Sequence, residues 1–130
     1  MFTLDQIYNA FKKVKSGADF PQFVQDLKAI GVTHYDNFVA DGQTKYYGTN
    51  NFVIDGEPKY PSMAVNDQSS ADKLKHSISI HQQGQTDYLS FCSQAAEAGV
   101  EKWTTHIIEM TVTYLDKQGK KLTVEPIPQV

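Results

Sequence analysis

The residues of this chain best suited to chemistry are its single cysteine, Cys92, and two of its four histidines, His81 and His106. A thiolate can act as a nucleophile or a metal ligand, and an imidazole beside it can act as the base or as a second ligand. The alternative is that Cys92 is a small buried hydrophobic residue, and that both histidines lie at the margin of the core with their nitrogens hydrogen-bonded. The three residues form a site only if the fold brings them together.

A second candidate site is the aromatic group Tyr35, Tyr46, Tyr47 and Trp103. Tyr46 and Tyr47 are adjacent in a predicted strand, so their side chains point to opposite faces and at least one is expected to reach solvent. An exposed tyrosine beside the Asp41-Gly42 turn could form a platform for a flat ligand or a partner protein. The alternative is that one tyrosine packs in the core and the other covers the sheet surface.

Asp41 and Glu109 occupy equivalent positions in two predicted hairpins, which invites comparison with a pair of catalytic carboxylates. Turn chemistry explains their equivalence better, because Asp favours such positions through local hydrogen bonds. The sequence contains no Gly-rich phosphate loop, Cys-x-x-Cys pair, His-Glu-x-x-His helix or Gly-x-Ser-x-Gly elbow. No cofactor or metal is therefore predicted, and an enzyme is the less favoured interpretation.

Composition restricts the partners and the compartment. A net charge of -3 and a pI near 5.7, with scattered lysines, argue against nucleic-acid binding. A lone cysteine fits a reducing compartment. No apolar run approaches the ~20 residues of a membrane span. We expect a cytoplasmic protein that binds neither nucleic acid nor membrane.

Two segments of the chain, residues 4–58 and 71–126, resemble each other and predict an internal repeat. Identical residues coincide at Asp5/Asp72, Gly17/Gly84, Asp19/Asp87, Phe23/Phe91, Gly31/Gly99, Val32/Val100, Tyr46/Tyr114, Glu57/Glu125 and Pro58/Pro126. The alignment puts His81, Cys92 and His106 in the positions of Val14, Val24 and Phe38, respectively. Since 130 residues suit one domain of ordinary size, we predict a single domain, 1–130, with a connector at about 59–70.

Each repeat has the pattern of two helices followed by three strands. Thr3 to Gln6 form a capping box that begins a helix, whose apolar stripe includes Phe11 and Val14. Gly31 and Gly99 are expected to end the second helix of each unit in left-handed geometry. Asp41-Gly42 predicts a two-residue hairpin. The predicted fold is α+β: two ααβββ repeats in one domain, with four helices and an antiparallel sheet or split barrel.

The combination of short motifs resembles an uncharacterised bacterial family, the YbcV-like family, whose members are often labelled "phage envelope protein". The motifs include residues 14–21, Tyr46-Tyr47-Gly48 and Gly99-Val100-Glu101-Lys102-Trp103, and the resemblance covers nearly the whole chain. It implies a single α+β domain of this length. It supplies no catalytic or binding residue.

Two hypotheses about function follow from these patterns. The first is a binding or protein-interaction module of unknown ligand, which could dimerise through an exposed strand edge. The second is a small enzyme or metal-binding protein that uses Cys92 with His81 and His106. The contacts of these three side chains distinguish the two hypotheses.

Overall fold

A computed structural model describes residues 1–15 and 17–128, and in this part the chain forms four α-helices and six strands. The helices are α1 (Leu4–Phe11), α2 (Phe20–Ala29), α3 (Ala71–Gln82) and α4 (Tyr88–Glu97), with a short 3₁₀ turn, Gly17–Asp19, before α2. The strands are β1 (Val32–Phe38), β2 (Thr44–Gly48), β3 (Val53–Asp55), β4 (Val100–His106), β5 (Thr111–Asp116) and β6 (Lys121–Pro126). This is the α+β fold that the sequence predicts.

The strands form one antiparallel sheet in the order β3-β2-β1-β4-β5-β6. Of the two predicted arrangements the structure has the open sheet, with β3 and β6 at its edges, and the split barrel was wrong. The first half of the chain supplies one side of the sheet and the second half supplies the other. They meet where β1 pairs with β4, with Asp36 opposite Thr104.

The central strands β1 and β4 are closely matched. Each has seven residues with the same order of buried and partly buried positions, and Tyr35 and Trp103 are the fourth residue of each. Each strand follows a glycine with positive φ, 104° at Gly31 and 83° at Gly99, as the sequence predicts. Descent of both halves from one duplicated unit stays a prediction.

Side-chain caps begin three of the helices. Thr3 and Gln6 form the predicted capping box of α1, Ser70 accepts a hydrogen bond from the backbone of Lys73, and Asp87 accepts one from the backbone of Ser90. Asp19 is the N-cap residue of α2, but its side chain makes no capping hydrogen bond to the helix. Its carboxylate instead accepts a hydrogen bond from the backbone N–H of Lys15.

The core lies between the helices and one face of the sheet, where α2 packs on β1, α4 on β4 and α3 on β6. Its fully buried side chains include Ile7, Val24, Leu27, Val39, Leu74, Cys92, Val100 and Ile107. Burying one such aliphatic side chain contributes roughly 1.5–3 kcal/mol. In the part of the chain described, no helix is long and apolar enough to cross a membrane.

Two local predictions in the first half were wrong. Helix α1 ends at Phe11, so its apolar stripe stops there; Phe11 is 57% exposed and meets Phe23 edge-on, with ring centroids 5.7 Å apart. The β1–β2 connection is longer than two residues. Phe38 and Gln43 close it by a backbone hydrogen bond of 2.9 Å, and the N–H of Gly42 donates back to the carbonyl of Phe38.

The connector between the halves is held to both of them by backbone hydrogen bonds. Lys59 and Met63 donate to the turn after β1, at the carbonyls of Asp41 and Ala40, and Asn66 donates to Ala96 at the end of α4. The connector therefore packs against the fold.

Candidate functional site

Cys92 lies on α4, and its side chain is fully buried. Burial raises the pKa of its thiol, although the hydroxyls of Tyr60 and Tyr88 and the ammonium of Lys59 oppose that rise. A buried thiol with a raised pKa stays protonated near neutral pH and is a poor nucleophile. Its position matches that of Val24, which is also fully buried.

His81 lies in the last turn of α3, and its ring stacks on Phe91 with centroids 4.8 Å apart. Its Nδ1 is 3.0 Å from the backbone oxygen of Thr86, in the loop between α3 and α4. These contacts hold the histidine ring against Phe91 and the loop that follows α3.

His106 lies on the opposite side of the sheet. Trp103 contacts Phe91 of α4, so it points toward the helices, and because strand side chains alternate, His106 points away from them. Its Nδ1 is 3.7 Å from Oε2 of Glu109 and its ring is 6.4 Å from that of His34. Within residues 1–15 and 17–128, Cys92, His81 and His106 share no hydrogen bond or ring contact.

The aromatic group is also divided between the two faces. Tyr35, Tyr46 and Trp103 are buried on the face that the helices cover. Tyr47 lies on the other face and is only partly buried, as expected for a neighbour of Tyr46 in a strand. Of the four aromatic residues, Tyr47 is therefore the one that a binding partner can reach.

Asp41 and Glu109 do not form a carboxylate pair. Asp41 accepts a hydrogen bond of 2.9 Å from the backbone N–H of Gln43, which is the local turn bond expected of Asp. The Glu109 side chain is 63% exposed and lies beside His106. No group of three or more metal-ligating side chains is found in the described part of the chain.

The face of the sheet turned away from the helices, hereafter the open face, carries a polar cluster around Asp36. The Asp36 carboxylate accepts hydrogen bonds from the Thr104 hydroxyl at 2.6 Å, the Tyr47 hydroxyl at 3.3 Å and the Lys102 ammonium at 3.4 Å. Asp36 is only 5% exposed although it points away from the helices, because its neighbours on β2 and β4 surround it. A carboxylate held this way has one orientation.

Three rings cross the open face beside this cluster. Tyr47 on β2 stacks on His34 of β1, with centroids 4.3 Å apart and planes 6° apart, and His106 of β4 follows at 6.4 Å. His34 and His106 are direct cross-strand partners. On the other side of Asp36, the Lys102 ammonium lies 5.7 Å from the ring centre of Phe38.

This environment shifts two proton affinities. Burial lowers the pKa of His34, with further lowering by His106 and Lys102, while Asp36 and Glu109 raise it. Burial and the nearby Asp36 carboxylate raise the pKa of Tyr47.

Exposed apolar side chains flank the polar cluster. Val53 on β3 pairs with Tyr47, and Val124 on β6 pairs with Thr113, so both face the same way as the cluster. They are 42% and 48% exposed, respectively. The open face therefore has a polar centre with apolar groups toward both edges.

Two shallow clefts lie elsewhere, between α1 and α2. One holds about 50 Å³, which is space for water rather than a metabolite, and the other is an open groove of about 350 Å³ along Gln6, Asn9, Lys13 and Asp26. Neither contains a candidate residue from the sequence or from the open face.

Sequence reasoning missed Asp36, His34, Lys102 and Thr104. A signal was present, because polar residues alternate along both central strands, at 34 and 36 in β1 and at 102, 104 and 106 in β4. Alternation of this kind marks one face of a strand. It becomes a site only once β1 and β4 are known to be neighbours.

Comparison with known proteins agrees with the absence of a recognised motif. Residues 8–126 match a family described as "Protein of unknown function (DUF1398)". The chain is also similar to an uncharacterized protein of Escherichia coli (strain K12), YcgX, with 22% identity over 117 residues, covering 90% of this chain and 87% of the relative.

Proposed function

Because the chain belongs to the DUF1398 family of proteins of unknown function, we propose its function from its surfaces: it is a protein-interaction module whose open face binds a partner protein. The observation that carries this proposal is the polar cluster around Asp36, a buried, hydrogen-bonded carboxylate on the sheet face turned away from the helices. The carboxylate itself is buried, but it holds in place the Tyr47 hydroxyl and the Lys102 ammonium, whose side chain is 33% exposed. A partner can therefore bind these groups without further ordering of the surface.

The shape and composition of the open face favour a protein over a small molecule. Six strands spaced by about 4.8 Å span roughly 24 Å, which is the scale of a protein contact. A polar centre with exposed Val53 and Val124 beside it supplies both specificity and apolar area. The aromatic residues Tyr47 and Phe38 belong to the residue types enriched in interfaces.

Three finer assignments accompany this proposal. The short motifs favour the YbcV-like members of the family, with the label "phage envelope protein" attached to them. The lone cysteine favours a cytoplasmic location. The edge strands β3 and β6 leave backbone groups at which a second copy could pair, so homodimerisation is included. Light scattering after size-exclusion chromatography tests the dimer, which a strict monomer at high concentration would refute.

Site-specific photo-crosslinking in the native host tests the main proposal. A benzophenone side chain placed at Val124 samples the open face, and one at Leu89 on α4, 54% exposed against 48%, is the matched control on the helix layer. We expect a discrete adduct from position 124 and none from position 89. Adding Asp36→Ala should abolish the adduct while the variant remains folded by circular dichroism.

The outcome that contradicts the proposal is equal crosslinking from both positions, or crosslinking from the helix layer alone. An adduct of twice the mass of the chain would identify the partner as a second copy. A discrete adduct that still forms in the Asp36→Ala variant would support binding at the open face but contradict a role of the polar cluster in it.

A further inference from the structure

The protonation state of one histidine pair sets the charge of the open face. His34 and His106 are cross-strand partners with ring centroids 6.4 Å apart. The charged groups that influence His34 are Asp36 on its own strand, Lys102 on β4 and Glu109 in the turn after β4; Tyr47 on β2 stacks on its ring. The pair therefore lies within a small and defined electrostatic environment.

The net charge of this patch depends on whether His34 and His106 are protonated. While both imidazoles are neutral, the carboxylates of Asp36 and Glu109 outweigh the Lys102 ammonium, and the patch carries net negative charge. The neighbouring ion pair of Lys45 and Asp55 on β2 and β3 adds no net charge. When both imidazoles bind protons, the patch carries net positive charge. Histidine is the side chain that makes such a change between about pH 5 and 8.

We propose that the His34–His106 pair is a proton-controlled switch, which makes the open face bind an acidic segment of its partner in mild acid and release it at neutral pH. The proposal rests on the proposed function, because it names the chemistry of the partner and the regulation of the same face. Charge complementarity is the reason for the choice of partner, since the protonated pair and Lys102 carry more positive charge than the Asp36 and Glu109 carboxylates offset.

The switch requires the two histidines to sense each other, and NMR titration of their ring signals tests this directly. In His106→Gln the midpoint of His34 should move to higher pH, because a like charge is removed. In Glu109→Gln it should move to lower pH, because a stabilising negative charge is removed. His76→Gln on the exposed side of α3 is the control and should leave the His34 midpoint unchanged.

Binding is tested with a hexaglutamate peptide as the probe and a hexalysine peptide as its control. Glutamate stays ionised between about pH 5.5 and 7.5, so a change in affinity over this range reports on the protein. We expect hexaglutamate to bind at least tenfold more tightly at the lower pH and to shift the His34 and His106 signals. The double variant His34→Gln/His106→Gln should lose this dependence on pH, and hexalysine should not show it.

Two results overturn the inference: a His34 midpoint that is the same with and without His106, or hexaglutamate binding that is absent or equal at both pH values. Either result leaves the proposed function standing if crosslinking at Val124 still captures a discrete partner. Conversely, if the crosslink is absent but hexaglutamate binding still depends on pH as expected, the proposed partner protein is rejected and the proton-controlled switch stands.

Discussion

β1 and β4 run side by side with the same length and the same order of burial, yet they place different chemistry on the open face. β1 presents His34, Asp36 and Phe38, whereas β4 presents Lys102, Thr104 and His106. The positions that the backbone constrains are alike in both halves, above all the glycines before each strand. The two strands therefore share the positions that the backbone constrains and differ in the residues that they present on the open face.

The two glycines before the central strands offer the strongest test of this comparison. A Cβ at Gly99 would lie 2.6 Å from the backbone of Ser69, whereas one at Gly31 would meet only the Phe2 ring at 3.9 Å. Both substitutions carry the strain of positive φ. We expect Gly99→Ala to lower the free energy of unfolding by about 3 kcal/mol and Gly31→Ala by about 1 kcal/mol in urea denaturation. Equal losses of stability in the two variants would contradict the prediction, because they would show that the close contact at Gly99 has no effect.

The central Asp36–Thr104 pair provides the next test, because equivalent positions hold an acceptor and a donor. Asp36→Ala removes the acceptor shared by Tyr47, Lys102 and Thr104, and should lower the free energy of unfolding by about 2 kcal/mol. Thr104→Val removes one donor and should cost about 1 kcal/mol. Asp55→Ala, whose carboxylate is more than half exposed, is the control and should change stability by less than about 0.5 kcal/mol. A larger loss from Thr104→Val would contradict the central role of Asp36.

Cys92 and Val24 occupy matching buried positions, which predicts that they can be exchanged. Cys92→Val should change the free energy of unfolding by less than about 1.5 kcal/mol, since both side chains are small and apolar. Val24→Cys is the reciprocal variant, with the same expectation in the same denaturation assay. A loss well above this for Cys92→Val alone would reveal a specific need for sulfur beside Tyr60 and Tyr88.

The smallest expected effect concerns His34, whose equivalent in the second half is Lys102. The folded state lowers the pKa of His34 below its ordinary 6.5, so below that value the unfolded chain takes up the proton more readily. This contribution to stability is complete above about pH 6.5 and is lost as pH falls from there to the folded-state pKa. In His34→Gln, unfolding measured across this range should vary less with pH. A steeper dependence in the variant would show that the sign is wrong.

Much of the fold follows from local patterns. The capping box at Thr3 and the positive-φ glycines Gly31 and Gly99 were predicted because each acts within a few residues of itself. The boundary of α1 was not predicted, since periodicity alone does not show whether Phe11 meets the core or its edge. The longer β1–β2 turn was missed because the backbone bonds around Gly42 involve Phe38 and Gln43, outside the Asp41-Gly42 pair.

The candidate site was less accessible to sequence reasoning. Matching the halves directed attention to His106, which does lie on the open face, but it grouped that residue with Cys92 and His81 on the covered side. The three residues were grouped because each aligns with an apolar residue of the first half. Such an alignment does not show toward which face of the sheet a side chain points. Asp36 and Lys102 were not predicted as site residues, because an isolated charged residue in a strand is typical of any solvent-facing position.

The amino-acid order by itself determined that the helices form, where the glycines after α2 and α4 end them, and the two-sided character of the strands, because caps, glycines and alternation act over short stretches of chain. It did not determine which side of the sheet the helices cover, nor that β1 would lie against β4. Those depend on contacts between residues distant in sequence, and the free energy of such contacts is shared over the whole core. Only the tertiary structure places Lys102 and Thr104 around Asp36, because cross-strand register decides which residues of different strands become neighbours.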